Sequence, residues 1–474
     1  MIFRRDLLSF LGAAPVGGLG AFWTRQAAAQ DGAHAGHPAP DPVAKATEPE
    51  PPSTLAQRDG FEPVRTLNGW TLPYTLKDGV KEFHLVAEEV DHEFAPGCRA
   101  KCWGYNGTTP GPTIEAVEGD RVRILVTNRL PEHTSIHWHG VLLPNGMDGV
   151  AGLTQPHVKP GETYAYEFTL KQHGTHMYHP HADEMVQMAV GMMGLFIIHP
   201  KDGEPRRIDR DYAIMLHNWA LHPGTYRPDP SIMTEFDLWT FNSKVFPAIE
   251  PMVARAGERV RIRIANLSMH EHPMHLHGHA MWVTGSDGGR WPEERWRTEV
   301  TELVAVGQTR DLEFVAAPGD WAFHCHKSHH TMNAMGHDIP NALGVDQSGV
   351  EEEIQKMLPG YMAMGEAGMA EHQMHTDMGH MKGPENTLAM MAGKGPYGNL
   401  EMGGMFTVVK VRDELAQGDY RDPGNYRHPA KTVAWRVSDN ADFGRPVRRA
   451  ARPSAEPPRY TPSRNPHEGH EGHH

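Results

Sequence analysis

The sequence predicts an all-β protein that contains two related β-sandwich domains. Short runs of β-branched and aromatic residues, including VRILV, YAYEF, VRIRI and FTVVKV, recur between Gly and Pro residues, as is typical of antiparallel sandwiches. The segment 105–140 matches the segment 241–278 at many positions, which indicates a duplicated domain rather than a short repeat. Long helical periodicity is absent, and 351–358 is the best candidate for a helix.

Residues 1–29 have the features of an export signal. Arg4 and Arg5 precede a mildly apolar, Gly-rich stretch, and three alanines at 27–29 offer a cleavage site. This combination predicts a twin-arginine-type signal peptide and a periplasmic protein. A linker at 30–60, rich in Ala, Pro, Asp and Glu, is predicted to be disordered. Because no later run reaches the ~18 apolar residues of a membrane helix, we expect no stable membrane insertion.

The remaining chain divides into five parts by strand pattern and composition. We assign 61–200 to domain 1 and 205–340 to domain 2, because each contains one copy of the duplicated unit. An insertion rich in Met and His, 341–401, separates domain 2 from its predicted closing strand at 402–412. The C-terminal extension, 413–474, ends in HEGHEGHH, which is either a surface site for copper or nickel or a solvated polar tail.

Composition and charge exclude several classes of protein. The chain has 45 Lys and Arg against 59 Asp and Glu, a formal net charge of −14, which argues against nucleic acid as a partner. Only 3 Cys are present, too few for a disulfide scaffold or a four-thiolate iron–sulfur cluster. The 33 His and 26 Met instead favour copper, which imidazole and thioether both bind.

Histidine pairs recur at matching places in the two units. A His-x-His pair on a strand points both rings to one face, because side chains alternate with period 2. Eight imidazoles would be a costly way to fill a core, since each needs hydrogen-bond partners. The sequence therefore predicts metal ligands at His137 and His139, His179 and His181, His275 and His277, and His324 and His326.

A second constellation surrounds Cys325 in the segment HCHKSHHTMNAM. His330 lies five residues after Cys325, Met335 follows five residues later, and His272 lies upstream in HPMHLHGH. Two His, one Cys and a weak axial Met are the ligands of a blue-copper electron-transfer centre. Since His324 and His326 flank the Cys, the backbone here would connect this centre to other coppers.

HWHG, HPMHLHGH and HCHxxxHxxxxM occur in this order along the chain. In these motifs the sequence resembles the multicopper oxidases, and within them the two-domain, laccase-like branch. The resemblance covers about 65–340 and the strand near 402–412, and it implies that both domains are cupredoxin-like Greek-key sandwiches.

The resemblance also implies a role for each ligand and four coppers in each functional unit: His272, Cys325 and His330 with axial Met335 for type 1, His137 and His275 for type 2, and for the binuclear type 3 pair His139, His179 and His326 on one copper and His181, His277 and His324 on the other. Asp148 resembles the carboxylate that assists proton delivery in the family. The alternative for Asp148 is a turn residue before Gly149.

By the same resemblance, the protein is an oxidase that takes single electrons from a small reductant and reduces dioxygen to water with four electrons. The reductant stays open between Cu(I), a phenol and Mn(II). No middle domain fits between His181 and His272, which by resemblance implies a homotrimer with trinuclear clusters between subunits. Two alternatives are a copper-containing nitrite reductase-like enzyme, which Pro180 in place of a Cys argues against, and a non-catalytic periplasmic copper-binding protein.

Three features leave alternatives open. The segment 357–405 contains 11 Met, which suits either Cu(I) handling in copper homeostasis or a loop that uses Met as adaptable packing. Met402 or Met405, just before the closing strand, could replace Met335 as the axial ligand. Cys98 and Cys102 favour a local disulfide in an exported protein, ahead of an accessory metal site or two free thiols.

Overall fold

A computed structural model describes residues 61–332 apart from Pro223 and Glu235, together with 356, 385–386, 388, 393–400 and 402–437. The predicted signal peptide, the linker, Met335, the His-rich tail and nearly all of the Met-rich insertion therefore lie outside the described residues. The candidate helix at 351–358 is outside them too, except at 356. Among the described residues, no helix is long and apolar enough to cross a membrane.

The described chain is almost entirely β, as predicted. The strands up to residue 199 are β1 Arg65–Thr66, β2 Thr75–Lys77, β3 Val80–Ala95, β4 Cys98–Tyr105, β5 Ile114–Val117, β6 Arg121–Asn128, β7 His137–His139, β8 Thr163–Thr169, β9 Gly174–His179 and β10 Gly194–His199. Helix α1 spans Glu184–Ala189. Strands β2, β3, β6 and β8 form one sheet, with β4 also paired to β3, and β5, β10, β9 and β7 form the sheet opposite.

A second sandwich follows the first. Its strands are β11 Arg210–Trp219, β12 Leu238–Phe241, β13 Met252–Arg255, β14 Arg259–Asn266, β15 His272–Leu276, β16 Met281–Ser286, β17 Gly289–Arg290, β18 Arg297–Glu299, β19 Thr301–Val304, β20 Thr309–Val315, β21 Gly319–Cys325 and β24 Phe406–Arg412, with the hairpin β22 Gly393–Gly395 and β23 Gly398–Leu400 beside them in the chain. One sheet runs β11-β14-β20-β16-β17 with β1 at its edge, and the other runs β13-β24-β21-β15-β19. The predicted closing strand is β24, which pairs with β21.

The two sandwiches pack against each other through an apolar layer. Strand β6 alternates between buried and partly exposed residues. Strand β11 is buried at every position, because both of its faces are covered. One core cluster joins Met177 and Leu195 of the first sandwich to Met215 and Ala265 of the second. This packing fixes β9, which ends at a predicted ligand, relative to domain 2.

A buried ionic network crosses the same contact. Arg263 donates to Asp211 at 3.0 Å and to Thr175 on β9 at 2.9 Å, and Thr175 donates to Asp311 at 2.7 Å. Burial alone would raise the pKa of Asp211, but Arg261 and Arg263 hold it well below its usual range. The carboxylate is therefore charged and paired at neutral pH.

The disulfide predicted for Cys98 and Cys102 is wrong. Both are free, buried thiols on β4, four residues apart. An extended strand separates such residues by about 13 Å, whereas a disulfide needs Cα atoms within about 7 Å. Cys98 instead contacts the carbonyl of Asn386 at 3.9 Å, where the end of the insertion packs on this strand.

Candidate metal centre

The ligands predicted for the blue-copper centre converge in domain 2. His272 begins β15, Cys325 ends β21 and His330 lies in the short helical turn Ser328–Thr331. The Cys325 Sγ lies 3.6 Å from His272 Nδ1 and 3.4 Å from His330 Nδ1, and the two nitrogens are 3.1 Å apart. All three side chains are fully buried. This triangle has the size and donor set for one copper ion.

The surroundings of this triangle favour an ion over hydrogen bonds. His272 Nε2 bonds to Ser268 Oγ at 2.7 Å, which leaves Nδ1 to face the other donors, and His330 also turns its Nδ1 toward them. Burial, and secondarily His270, lowers the pKa of His272 to about 3, and burial raises the pKa of Cys325 to about 12. The imidazole is thus neutral, and a bound cation would be needed to hold the thiolate.

One of the alternative axial ligands adjoins this triangle. The Met405 N–H donates to the His330 carbonyl at 3.0 Å, and the Met405 carbonyl accepts from the Cys325 N–H at 3.1 Å. The side chain is fully buried in the same core cluster as Cys325. Met402 is half-buried, and Met335 lies outside the described residues.

Four predicted ligands gather at one end of domain 1. His137 and His139 come from β7, His179 ends β9, and His181 follows it. The centroid of the His137 ring lies 5.4–5.7 Å from those of the other three, and His139 Nδ1 is 3.2 Å from His179 Nε2. Nitrogens this close can share a metal, and the His137, His139 and His179 donors lie within 4.8 Å of one another.

Backbone carbonyls orient these rings. His137 Nδ1 bonds to the Asp148 carbonyl at 2.8 Å, and His179 Nδ1 bonds to the Pro180 carbonyl at 2.9 Å. A ring nitrogen that donates to a carbonyl fixes the tautomer and leaves the other nitrogen to bind metal. The Asp148 carboxylate is 3.5 Å from the same His137 nitrogen, so Asp148 touches the site through both its backbone and its side chain.

The second set of four histidines lies in domain 2 with the same design. His277 Nε2 is 3.0 Å from His324 Nε2, and the His275 ring lies 4.9–5.6 Å from His277, His324 and His326. His324 Nδ1 bonds to the Cys325 carbonyl at 2.8 Å, the counterpart of the contact between His179 and Pro180. The Cys325 backbone therefore links the thiol site directly to this histidine cluster.

The two histidine clusters do not meet within the chain. Every ring contact found among their eight members joins residues of the same cluster. His277 and His326 are exposed, and His137, His139 and His181 are half-buried. Each cluster thus opens to the surface with four imidazoles, half of the predicted trinuclear set.

Two family models, both described as multicopper oxidase, match residues 87–203 and 223–342, which carry all the ligands discussed above except Met402 and Met405. The chain belongs to the multicopper oxidase family. A crystal structure of a blue copper oxidase from Nitrosomonas europaea superposes with a TM-score of 0.52 and 26% identity, over 70% of this chain and 85% of that one. The prediction of cupredoxin-like sandwiches is confirmed by this likeness.

Two curated relatives of this multicopper oxidase share only part of it. The chain is 46% identical to copper resistance protein A of Escherichia coli over 115 residues, 24% of this chain and 19% of that protein. It is 30% identical to a probable nitrite reductase-hydroxylamine oxidoreductase fusion protein of Kuenenia stuttgartiensis over 278 residues, 55% of this chain and 31% of that protein. The chain thus spans less than a third of the length of either relative.

Sequence reasoning missed the residues that hold the ligands. Asn266 and Asn128 occupy matching positions of the duplicated unit. Each side-chain amide donates to one backbone carbonyl four residues later and to a second carbonyl that is distant in sequence, that of Val304 for Asn266 and that of Val158 for Asn128. The side-chain oxygen of Asn266, Oδ1, also accepts from Ser268 Oγ at 2.7 Å, and the same hydroxyl bonds His272 Nε2. The duplication marks the two asparagines, but no sequence pattern identifies Ser268.

Proposed function

We propose that this protein is a copper oxidase that takes electrons one at a time at a type 1 centre and reduces dioxygen to water. The observation that carries the proposal is the HCH segment, in which the Cys325 thiol belongs to one candidate centre and its carbonyl holds His324 of the other. When bound, copper would supply the one-electron redox chemistry at the first centre and dioxygen reduction at the second.

The ligand sets follow the family pattern with one change at the axial position: His272, Cys325 and His330 for type 1, His137 and His275 for type 2, His139, His179 and His326 for one type 3 copper, and His181, His277 and His324 for the other. For the axial position we favour Met405 over Met335. Both backbone hydrogen bonds of Met405 go to residues of the type 1 triangle, and its buried thioether lies in the same core cluster. Four coppers per functional unit follow from these sets.

Backbone carbonyls fix the tautomers of the histidines, and a carboxylate is placed to carry protons. The carbonyls of Asp148, Pro180, Cys325 and Val300 each accept from a histidine Nδ1, so they present Nε2 to the metal. The carboxylate of Asp148, half-buried beside His137, is suited to pass protons toward the reacting dioxygen. Dioxygen reduction to two waters consumes four protons, which must reach the cluster from solvent.

The functional unit is a homotrimer in this proposal, because each chain carries two separate half-clusters. A head-to-tail contact between domain 1 of one subunit and domain 2 of the next completes eight ligands. The resemblance to two-domain multicopper oxidases implies that these heterologous contacts close as a ring of three. Exposed apolar side chains near both half-sites support it. Leu142 and Leu153 flank the loop of Asp148 at 60% and 80% exposure, and Val300 and Leu303 flank His275 at 53% and 49%.

We further propose that the protein is exported to the periplasm by the twin-arginine route and acts there in copper tolerance. The name of the Escherichia coli relative, copper resistance protein A, and the methionines of 357–405 favour Cu(I) as the reductant over a phenol or Mn(II). The Met-rich segment itself lies almost wholly outside the described residues.

Nitrite reduction is the second candidate, because one relative is named a probable nitrite reductase fusion protein. Domain 1 argues against it. His179, Pro180 and His181 repeat the geometry of His324, Cys325 and His326, with the same carbonyl contact, but Pro180 has no ligand atom. A type 1 centre at that place in domain 1 is therefore impossible.

Dioxygen uptake by the copper-loaded protein with Cu(I), with a phenol and with Mn(II), compared with anaerobic nitrite reduction, tests the proposal. We expect dioxygen uptake, fastest with Cu(I), and its loss in Cys325→Ser together with the blue colour. Nitrite turnover without dioxygen uptake would favour the second candidate. Copper binding without turnover of any substrate would identify a non-catalytic copper-binding protein.

A further inference from the structure

Glu184 lies against one predicted ligand of each type 3 copper. Its carboxylate oxygens are 3.8 Å from His179 Nδ1 and 3.7 Å from His181 Nε2. Contacts of this length are charge contacts rather than hydrogen bonds, so the carboxylate acts on the two rings through its electric field. Since the proposed ligand sets give His179 to one type 3 copper and His181 to the other, a single side chain acts on both coppers of the pair.

The surrounding structure holds Glu184 in this place. It is the first residue of α1 and follows Asp183, whose φ of +48° lies in the left-handed region that residues other than Gly seldom adopt. Further along the helix, the fully buried side chain of Gln187 accepts from Thr134 Oγ1 at 2.6 Å. Thr134 lies three residues before the ligand His137. The helix that carries Glu184 is therefore fastened to the segment that leads into the histidine cluster.

Among the described residues, both carboxylates in contact with the histidine clusters lie in domain 1. Asp148 and Glu184 contact the domain 1 cluster, whereas no Asp or Glu of the described chain makes such a contact with the four histidines of the domain 2 cluster. The duplication does not repeat the acid, because His329 stands five residues after His324, as Glu184 stands five residues after His179. Loss of the Glu184 charge would therefore have no counterpart in domain 2 to offset it.

We propose that Glu184 is a positioning residue of the copper cluster, which stabilises the Cu(II) state of both type 3 coppers over Cu(I). This inference rests on the ligand sets of the proposed function. Imidazoles that bind a metal are neutral, so they leave the charge of the ion uncompensated. A fixed negative charge attracts Cu(II) more strongly than Cu(I). The Glu184 carboxylate therefore lowers the reduction potential of the type 3 pair and strengthens its hold on Cu(II).

Glu184→Gln keeps the size of the side chain and removes its charge. The test uses a Cys325→Ser background, in which the type 1 thiolate is gone, and an anaerobic redox titration followed by the X-ray absorption edge of copper. We expect the cluster of Glu184→Gln to be reduced at a higher potential. We also expect about tenfold weaker Cu(II) binding in competition with a chelator, as for a lost partner of a ligand histidine. Glu132→Gln, at an exposed glutamate of domain 1, makes the same change in net charge and should leave both quantities as in the parent.

Two further measurements separate the charge from a structural role. The Glu184 side chain is 43% exposed, so we expect the copper-free parent and Glu184→Gln to melt at the same temperature. With Cys325 present, the blue colour should be the same in both. An unchanged or lower potential in Glu184→Gln, an equal shift in Glu132→Gln, or a lower melting temperature of the copper-free variant would overturn the proposal. A copper-loaded parent that takes up no dioxygen overturns the oxidase proposal instead, and the redox titration still decides the role of Glu184.

Discussion

A single hydroxyl sets which nitrogen of His272 faces Cys325 and His330. Ser268 Oγ lies 2.7 Å from Asn266 Oδ1, 2.7 Å from the His270 carbonyl and 2.7 Å from His272 Nε2. The hydroxyl has one proton, and the first two partners can only accept. It must therefore accept from His272 Nε2–H, which leaves the Nδ1 lone pair directed at Cys325 and His330.

Removal of this hydroxyl gives the first prediction. We expect Ser268→Ala to weaken copper binding at the type 1 centre by about 10- to 100-fold, the usual effect of losing a partner of a ligand histidine. Competition with a copper chelator, followed by the blue absorption, measures it. Ser286→Ala, at a half-buried serine on β16, is the control. If Ser268→Ala binds copper as tightly as the control, the tautomer is set by other contacts.

Gly149 allows Asp148 to reach His137. Its φ is +87°, and a Cβ there would lie 1.6 Å from the Ile136 carbonyl oxygen. We expect Gly149→Ala to lower the melting temperature and to weaken the type 2 site, because the strain costs about 1–3 kcal/mol before the steric clash is added. Gly203 has a similar φ of +79°, and a Cβ there would meet nothing within 4 Å. Gly203→Ala therefore measures the cost of the backbone strain without a steric clash. Equal losses in the two variants, measured by thermal unfolding and type 2 EPR, would exclude the clash.

At this scale the sequence predicts which side chains lie together where residue type and spacing point to the same site, and copper binding by them stays a prediction. His272, Cys325 and His330 are brought into one triangle, and the His-x-His pairs form the expected clusters, because period 2 on a strand fixes where their rings point. It fails where contacts join distant parts of the chain. Trp239 stacks on His330 across 91 residues of sequence, and nothing local to either residue indicates it.

At the scale of elements, a buried histidine makes the free energy of unfolding depend on pH. His92 on β3 is 8% exposed, and its Nε2 contacts the Ser243 carbonyl near β12. Burial lowers the pKa of His92 to about 4, below the 6.5 of an unfolded histidine. Between these values the unfolded chain binds a proton that the folded chain does not. The free energy of unfolding therefore falls as the pH falls from about 6.5 to about 4.

A pH series on the copper-free protein tests this coupling. Between pH 6 and pH 5 one such histidine contributes a slope of about 1 kcal/mol per pH unit. We expect His92→Gln, which keeps a hydrogen-bond donor for Ser243, to reduce the slope by about that amount. His84→Gln, on the exposed side of the same strand, should change it far less. Denaturant unfolding at each pH provides the measurement, and parallel slopes for parent and His92→Gln would contradict the assignment.

The element pattern also explains which strands the sequence predicts well. Strand β6 alternates cleanly because one face meets solvent. Its counterpart β14 is buried at nearly every position although it carries Arg261 and Arg263, because those charges pair with Asp211 under the other domain. From the sequence, arginines on a strand predict a face that is open to solvent. In the structure the packing of the two domains buries this face of β14 instead.

At the scale of the whole molecule, the two kinds of centre differ in what they need. The candidate type 1 triangle of His272, Cys325 and His330 lies within one chain, whereas each of the two histidine clusters holds four of the eight histidines predicted for the trinuclear site. The spacing between His181 and His272 predicts that no middle domain is present, but the sequence alone does not say which surfaces of two copies meet. The trimer therefore stays a prediction, and it can be tested because dissociation should separate the two centres.

We expect Leu303→Arg to break the assembly and leave the blue centre intact. Leu303 is 49% exposed on β19, next to the His275 half-cluster, and a desolvated, unpaired charge at an interface costs several kcal/mol. Light scattering should change from trimer to monomer, dioxygen uptake should be lost, and the blue colour should persist. Leu76→Arg, at 57% exposure on β2, is the control, because β2 lies near the start of β6 while the domain 1 half-cluster follows its end. A Leu303→Arg monomer that still reduces dioxygen would place a complete cluster within one chain and overturn the shared site.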